Sequence, residues 1–134
     1  MDGDPRIIWA VTDEAERVLQ ERGTFREHVR ALPAPPCDID ACELIYGELV
    51  ANTVRYARGA VDVQLAVGDD DRVLIVRDRG PGMHVVPWSP SRDPLAESGR
   101  GLAIVELLAR EVRVDPAPGG GTEVRAVLPI VKPA

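Results

Sequence analysis

The chain has 134 residues, 45% of them hydrophobic, and a formal net charge of −6. That length suits one domain with one core, spanning 1–134, and the apolar share is too high for a disordered chain. The acidic balance argues against duplex nucleic acid as the main ligand, and no apolar run approaches the ~20 residues of a membrane span.

Further exclusions follow from residue types. "MDGDPRIIWA" is acidic and its apolar run is short, unlike a signal peptide. Cys37 and Cys42 are the two cysteines, too few for a disulfide framework or a zinc site, so a reduced, cytoplasmic setting is expected. The 16 basic residues include one lysine, Lys132, so neither a Walker loop nor the strand lysine of a protein kinase is present. A nucleotide site must then use backbone N–H groups, a metal ion and arginine.

In chain order, "RIIWAV" from Arg6 reads as a short strand. Asp13 with Glu16 has capping-box spacing, predicting a helix that carries Ala15, Val18 and Leu19 and continues past Gly23 to Leu32. Pro33 to Pro36 breaks it. Asp38 starts a second helix that ends near Gly59. "AVDVQLAV" (60–67) alternates as a strand, "GDDD" turns, and "RVLIVRD" (72–78) is the next strand. Residues 80–99 are rich in Pro, Gly and Ser with no clear period, a loop of functional length. "GLAIVELLAR" (101–110) predicts a helix, "EVRVDP" a strand, "APGGG" a turn, and "TEVRAVLPIV" the last strand. There is no internal repeat. Helices first and antiparallel strands later predict an α+β domain: an antiparallel or mixed sheet with helices on one face.

Four local features carry chemistry. Glu48, Asn52 and Arg55 stack on one side of the second helix. Taken alone this is a solvated helix face; functionally, Asn52 offers an amide oxygen to Mg²⁺, Glu48 can deprotonate a hydroxyl or water, and Arg55 can reach phosphate. "DRGPG" puts Asp78 at a strand end, on the side of Leu74 and Val76, with Gly80 and Gly82 following. An ordinary turn explains it, as does a carboxylate accepting from an exocyclic amine beside a backbone that a flat ligand can approach. "SGRGL" places Gly99, Arg100, Gly101 and Leu102 at the mouth of a helix, either a flexible entry or a phosphate-binding nest. "GGGTEV" reads as a tight turn, with Thr122 able to lend a hydroxyl.

Their conjunction resembles the Bergerat-fold (GHKL) ATPases, the superfamily of gyrase B, histidine kinases and MutL. The matching positions are Glu48 and Asn52, then Asp78, Gly80 and Gly82, then Gly99, Gly101 and Leu102, then Gly121 and Thr122, over half the chain and in the family's order. The resemblance implies a two-layer α/β sandwich with a mixed, mostly antiparallel sheet covered by helices on one face. It further implies ATP and Mg²⁺ as cofactors. Asp78 would take the adenine amine, Asn52 the metal, Glu48 the general-base role and Gly99–Leu102 the phosphates, under a lid of about residues 83–98.

Within that superfamily, "GELVANTVRYA" and "GRGLAIVELLA" look most like the anti-sigma-factor serine/threonine kinases, which bind a sigma factor and phosphorylate a STAS-type antagonist. The alternatives are a stand-alone catalytic domain of a two-component histidine kinase system and a non-catalytic nucleotide-binding module. His28 lacks the acidic residue expected after a phosphorylated histidine, and His84 and Trp88 fall in the lid. Two positions depart from the anti-sigma pattern. Glu97 holds the place of an expected arginine, with Arg92 or Arg100 as substitutes for its charge. Residues 12–36 are longer than the usual opening, which suggests a partner surface or a homodimer contact.

Overall fold

A computed structural model describes residues 6–56, 59–68, 71–78 and 97–131, with the side chains of 54–56 and 97–102 excepted. Among these residues five strands form one sheet in the order β1-β2-β3-β5-β4: β1 (Arg6–Glu14), β2 (Ala60–Val67), β3 (Arg72–Asp78), β4 (Glu111–Pro116) and β5 (Thr122–Val127). Every described pairing is antiparallel. The parallel component expected of a mixed sheet is therefore missing among these strands. The crossover from β3 to β4 does return in the same direction, but β5 lies between the two and pairs with both.

Alternation along the strands decides which face the helices cover. Val61, Val63 and Leu65 of β2, Leu74 and Val76 of β3 and Ala126 of β5 are all buried in the main core. Their β-branched and branched-chain side chains suit a pleated, half-covered surface. The opposite face is polar along one row, where register aligns Thr12, Asp62, Arg77, Glu123 and Asp115 across all five strands. On it Thr12 Oγ1 donates to Asp62 at 2.7 Å, and Glu123 accepts from Arg77 at 2.6 and 2.9 Å and from Arg125 at 2.6 Å.

Among the described residues four helices pack on the apolar face: α1 (Ala15–Gln20), α2 (Arg22–Arg30), α3 (Ile39–Tyr56) and α4 (Glu97–Leu108). The longest, α3, touches α1, α2, α4 and β3. An aromatic cluster joins the first three to the sheet. Phe25 and Tyr46 are fully buried and stacked with centroids 4.6 Å apart, and Trp9 of β1 lies 5.9 and 6.1 Å from them. Burying each such ring contributes about 1.5–3 kcal/mol. The Tyr46 hydroxyl donates to the Val18 carbonyl at 2.5 Å, so the buried phenol is not left unpaired.

Four boundaries differ from expectation. β1 runs on to Glu14, because Asp13 and Glu14 find backbone partners in Val61 and Ala60 of β2. Asp13 therefore does not cap a helix; its carboxylate accepts from the next N–H, that of Glu14, at 2.7 Å. The first predicted helix is two, parted at Glu21, whose N–H reaches back three residues to Val18 instead of four. Beyond the break, Arg22 lies over Gly47, where a Cβ would sit 3.4 Å from its guanidinium, and pairs with Glu43 at 3.4 Å. The last strand ends at Val127, since Pro129 lacks the N–H to continue a ladder; Ile130 then bridges to Cys37. Finally, α4 begins at Glu97, before the glycines, so the last two residues of the predicted lid are helical.

Candidate functional site

Asp78 and Thr122 are brought together by the β3–β5 pairing. Asp78 is the last residue of β3 and is 5% exposed on the helix-covered side. Thr122 opens β5, and its N–H donates to Asp78 Oδ1 at 3.3 Å. What holds them is Gly121. Its φ is +86°, and a Cβ built there would fall 2.2 Å from the Asp78 carbonyl oxygen and 2.6 Å from its Oδ1. Only glycine allows that approach. The three glycines of the "GGG" turn, Gly119, Gly120 and Gly121, all have positive φ, and the Ala117 N–H closes the turn on the Gly121 carbonyl at 3.0 Å.

On the opposite face the same strand pair is tied by Arg77 and Glu123, the residues beside Asp78 and Thr122. Glu123 is 7% exposed. Burial alone would raise its carboxyl, but hydrogen bonds and charge from Arg125 and Arg77 hold it below the ordinary glutamate value.

From α3, Glu48 and Asn52 stand one turn apart and half-buried. Among the described residues, neither the buried Asn52 Oδ1 nor Thr122 Oγ1 has a hydrogen-bond partner. Leaving a buried oxygen unpaired costs about 1–3 kcal/mol, so such atoms are rare unless something else satisfies them. An amide oxygen in that position fits a hard divalent cation such as Mg²⁺, and a hydroxyl fits a ligand donor or an ordered water. By contrast Thr53, a residue away from Asn52, has its hydroxyl donating to the Val50 carbonyl at 2.6 Å within the helix.

Arg55 sits in the last turn of α3. Gly99, Arg100, Gly101 and Leu102 are the third to sixth residues of α4, so their backbone is helical, and of the four only Gly99 lies in the first turn, whose N–H groups lack partners one turn back. Gly80, Gly82, His84, Trp88 and Arg92 lie outside the described residues, as does the lid from 83 to 96. A separate cavity of about 530 Å³ opens between β1 and α1. Its lining includes Asp13, Glu14, Glu16 and Glu21, and no expected site residue. Those carboxylates repel phosphate, so the cavity does not compete for a nucleotide.

Two structural supports of the site escape sequence reading. The Arg77–Glu123 tie needs the strand register, which no short motif encodes. Gly121 is visible within "GGGT", but not its contact with Asp78, a residue 43 positions earlier.

A family model described as "Histidine kinase-like ATPase domain" matches residues 11–128. The serine-protein kinase RsbW of Bacillus licheniformis is 33% identical over 91 residues, covering 58% of this chain and 57% of its own length. The RsbW of Bacillus velezensis is 32% identical over 91 residues with the same coverage. This chain thus spans about 57% of the length of these curated relatives. Among solved structures, the cytoplasmic segment of histidine kinase QseC overlaps 98% of this chain and 85% of its own, at 19% identity and a TM-score of 0.45. The family match rests on the sequence model and not on that overlap.

Proposed function

This chain belongs to the histidine kinase-like ATPase domain family, and from that premise we propose that it is an ATP-dependent protein kinase of the anti-sigma-factor type. In this reading it binds a sigma factor, phosphorylates a serine or threonine of a STAS-type antagonist, and works in the cytoplasm. The observation that carries the nucleotide site is the pair of buried oxygens with no hydrogen-bond partner among the described residues, Asn52 Oδ1 on α3 and Thr122 Oγ1 beside the clamped carboxylate of Asp78. The serine/threonine branch is supported by the likeness to proteins named serine-protein kinase RsbW.

When bound, Mg²⁺-ATP supplies the phosphoryl group and the charge that neutralises it. The chain's own residues do the rest. Asp78, held by the Thr122 N–H and by Gly121, accepts from the adenine amine; Thr122 completes that contact through its hydroxyl. Asn52 offers Oδ1 to the metal. The first turn of α4, to which Gly99 belongs, turns its free N–H groups to phosphate at the positive end of the helix. Glu48, one turn before Asn52, takes the proton from the acceptor hydroxyl as it attacks.

The test is phosphotransfer from labelled ATP to co-purified partner proteins, followed by acid treatment. Acid-stable phosphate on the partner is expected. Acid-labile phosphate would instead identify a histidine acceptor, and ATP binding with no transfer to any partner would reduce the chain to a nucleotide-binding module.

A further inference from the structure

The head of α3 places the chain's two cysteines side by side. Asp38 is the N-cap: its Oδ1 accepts from the Ala41 N–H at 3.2 Å, three residues on. Cys37 is therefore the residue before the cap and Cys42 the fourth of the helix. These are the two positions whose side chains close on one another in a hydrophobic staple. Both are buried, at 2% and 1% exposure, in the same core cluster. The C-terminal segment clasps the pair from outside. Cys37 bridges to Ile130, the Asp38 N–H donates to the Pro129 carbonyl at 3.0 Å, and Cys42 Sγ lies 3.9 Å from that same oxygen.

A thiol pair differs chemically from any other staple. Hydrogen bonding with Cys42, together with the charge of Arg72 and against the effect of burial, draws the Cys37 thiol down to about 7. The same hydrogen bond, burial and the neighbouring Cys37 and Asp38 push Cys42 up. One sulfur is thus prepared as a nucleophile and the other as its partner thiol.

We propose that Cys37 and Cys42 form a peroxide-responsive dithiol that closes into an intrachain disulfide, turning the staple at the head of α3 into a covalent one. The Cys37 thiolate attacks one oxygen of hydrogen peroxide; the O–O bond breaks, hydroxide leaves and Cys37 becomes a sulfenic acid. The Cys42 sulfur then attacks the sulfenic sulfur, the S–O bond breaks, and the Cys42 proton leaves in water. Two thiols lose two electrons, and peroxide becomes two waters. Burial makes the first step slow, because peroxide enters only when the segment ahead of α3 opens locally. Exchange with an added dithiol reverses the product. Neither cysteine has a role in the proposed phosphotransfer, so the two readings stand or fall separately.

The test treats the whole folded chain with hydrogen peroxide, blocks remaining thiols by alkylation, and maps peptides without reductant. Both cysteines fall in the tryptic peptide that follows Arg30 and ends at Arg55. That peptide is expected to lose two hydrogens, to resist alkylation, and to remain in one piece through its sulfurs after cleavage at Asp38 and Asp40; dithiothreitol restores both thiols. In Cys42→Ser, Cys37 is expected to stop at the sulfenic acid and to be captured by dimedone, whereas Cys37→Ser leaves Cys42 unlabelled. The proposal is overturned if both cysteines remain alkylatable on unfolding after peroxide, or if oxidation yields sulfinic acid or interchain disulfides instead. Should a serine variant fail to fold, the peptide map of the unaltered chain still decides.

Discussion

Replacing Gly121 by alanine tests the contact that holds the centre of the site. The new methyl faces two costs. A positive φ of +86° is unfavourable for an L-residue, by about 1–2 kcal/mol. The Cβ also falls 2.2 Å from the Asp78 carbonyl oxygen, against backbone that cannot rotate away. Relieving that overlap requires β5 to move off the end of β3, and overpacking of this kind costs about 1–3 kcal/mol. The total is about 2–5 kcal/mol. Gly119 supplies the control: its φ is +84°, yet nothing lies within 4 Å of a Cβ there. Gly119→Ala thus carries the first cost without the second. Chemical denaturation of both variants should show Gly121→Ala less stable than Gly119→Ala by about 1–3 kcal/mol. Because displacement breaks the Thr122 N–H contact with Asp78, Gly121→Ala should also weaken ATP binding at least tenfold, equivalent to about 1.4 kcal/mol, while Gly119→Ala binds normally. Equal stability of the two variants, or undiminished ATP affinity of Gly121→Ala, would refute the argument that glycine is there for Asp78.

Asn52→Ala should lose Mg²⁺-dependent ATP binding by tenfold or more, yet melt no lower than the parent, because it removes a buried oxygen that has no partner among the described residues and that costs about 1–3 kcal/mol; calorimetry and titration with and without Mg²⁺ separate the two effects. Glu48→Gln should bind ATP with unchanged affinity and lower the rate of transfer to the partner by about 10²–10⁴-fold, as expected for loss of a general base. Glu123→Gln should cost about 1–2 kcal/mol at neutral pH, the smaller end of a charged hydrogen-bond pair because Arg125 is 44% exposed and solvent-screened. The pH dependence of that variant has a definite sign. The Glu123 carboxyl is depressed in the folded state, so its contribution is present above the unfolded glutamate value and is lost as pH falls through the folded one. Denaturation midpoints across the acid range should therefore fall less steeply for Glu123→Gln than for the parent.

Elements with strong local signals are legible in the residues themselves. The period-two pattern of 60–67 and 72–78, the Asp38 cap and the proline break at 33–36 each depend on neighbours within a few residues. The site is legible in a different way. Motif order points to Glu48, Asn52, Asp78 and Thr122, and the β3–β5 pairing joins the last two through a hydrogen bond. Where local signals mislead, a distant partner outcompetes a near one. Asp13 and Glu16 have the spacing of a capping box, but β2 offers the backbone of Asp13 and Glu14 a ladder, and ladder bonds prevail over a single side-chain cap.

The amino-acid sequence by itself determined the alternation that makes one sheet face apolar, the positions of the chemically able side chains, and the glycines without which the turn before β5 could not form. All of these are properties of a residue and its near neighbours. Only the tertiary structure decided that Gly121 lies on Asp78, that Glu123 is shared between Arg77 and Arg125, and that Pro129 and Ile130 close over a staple of two cysteines. Each of these joins residues brought together by strand register or helix docking, and register is set by the packing of the whole core.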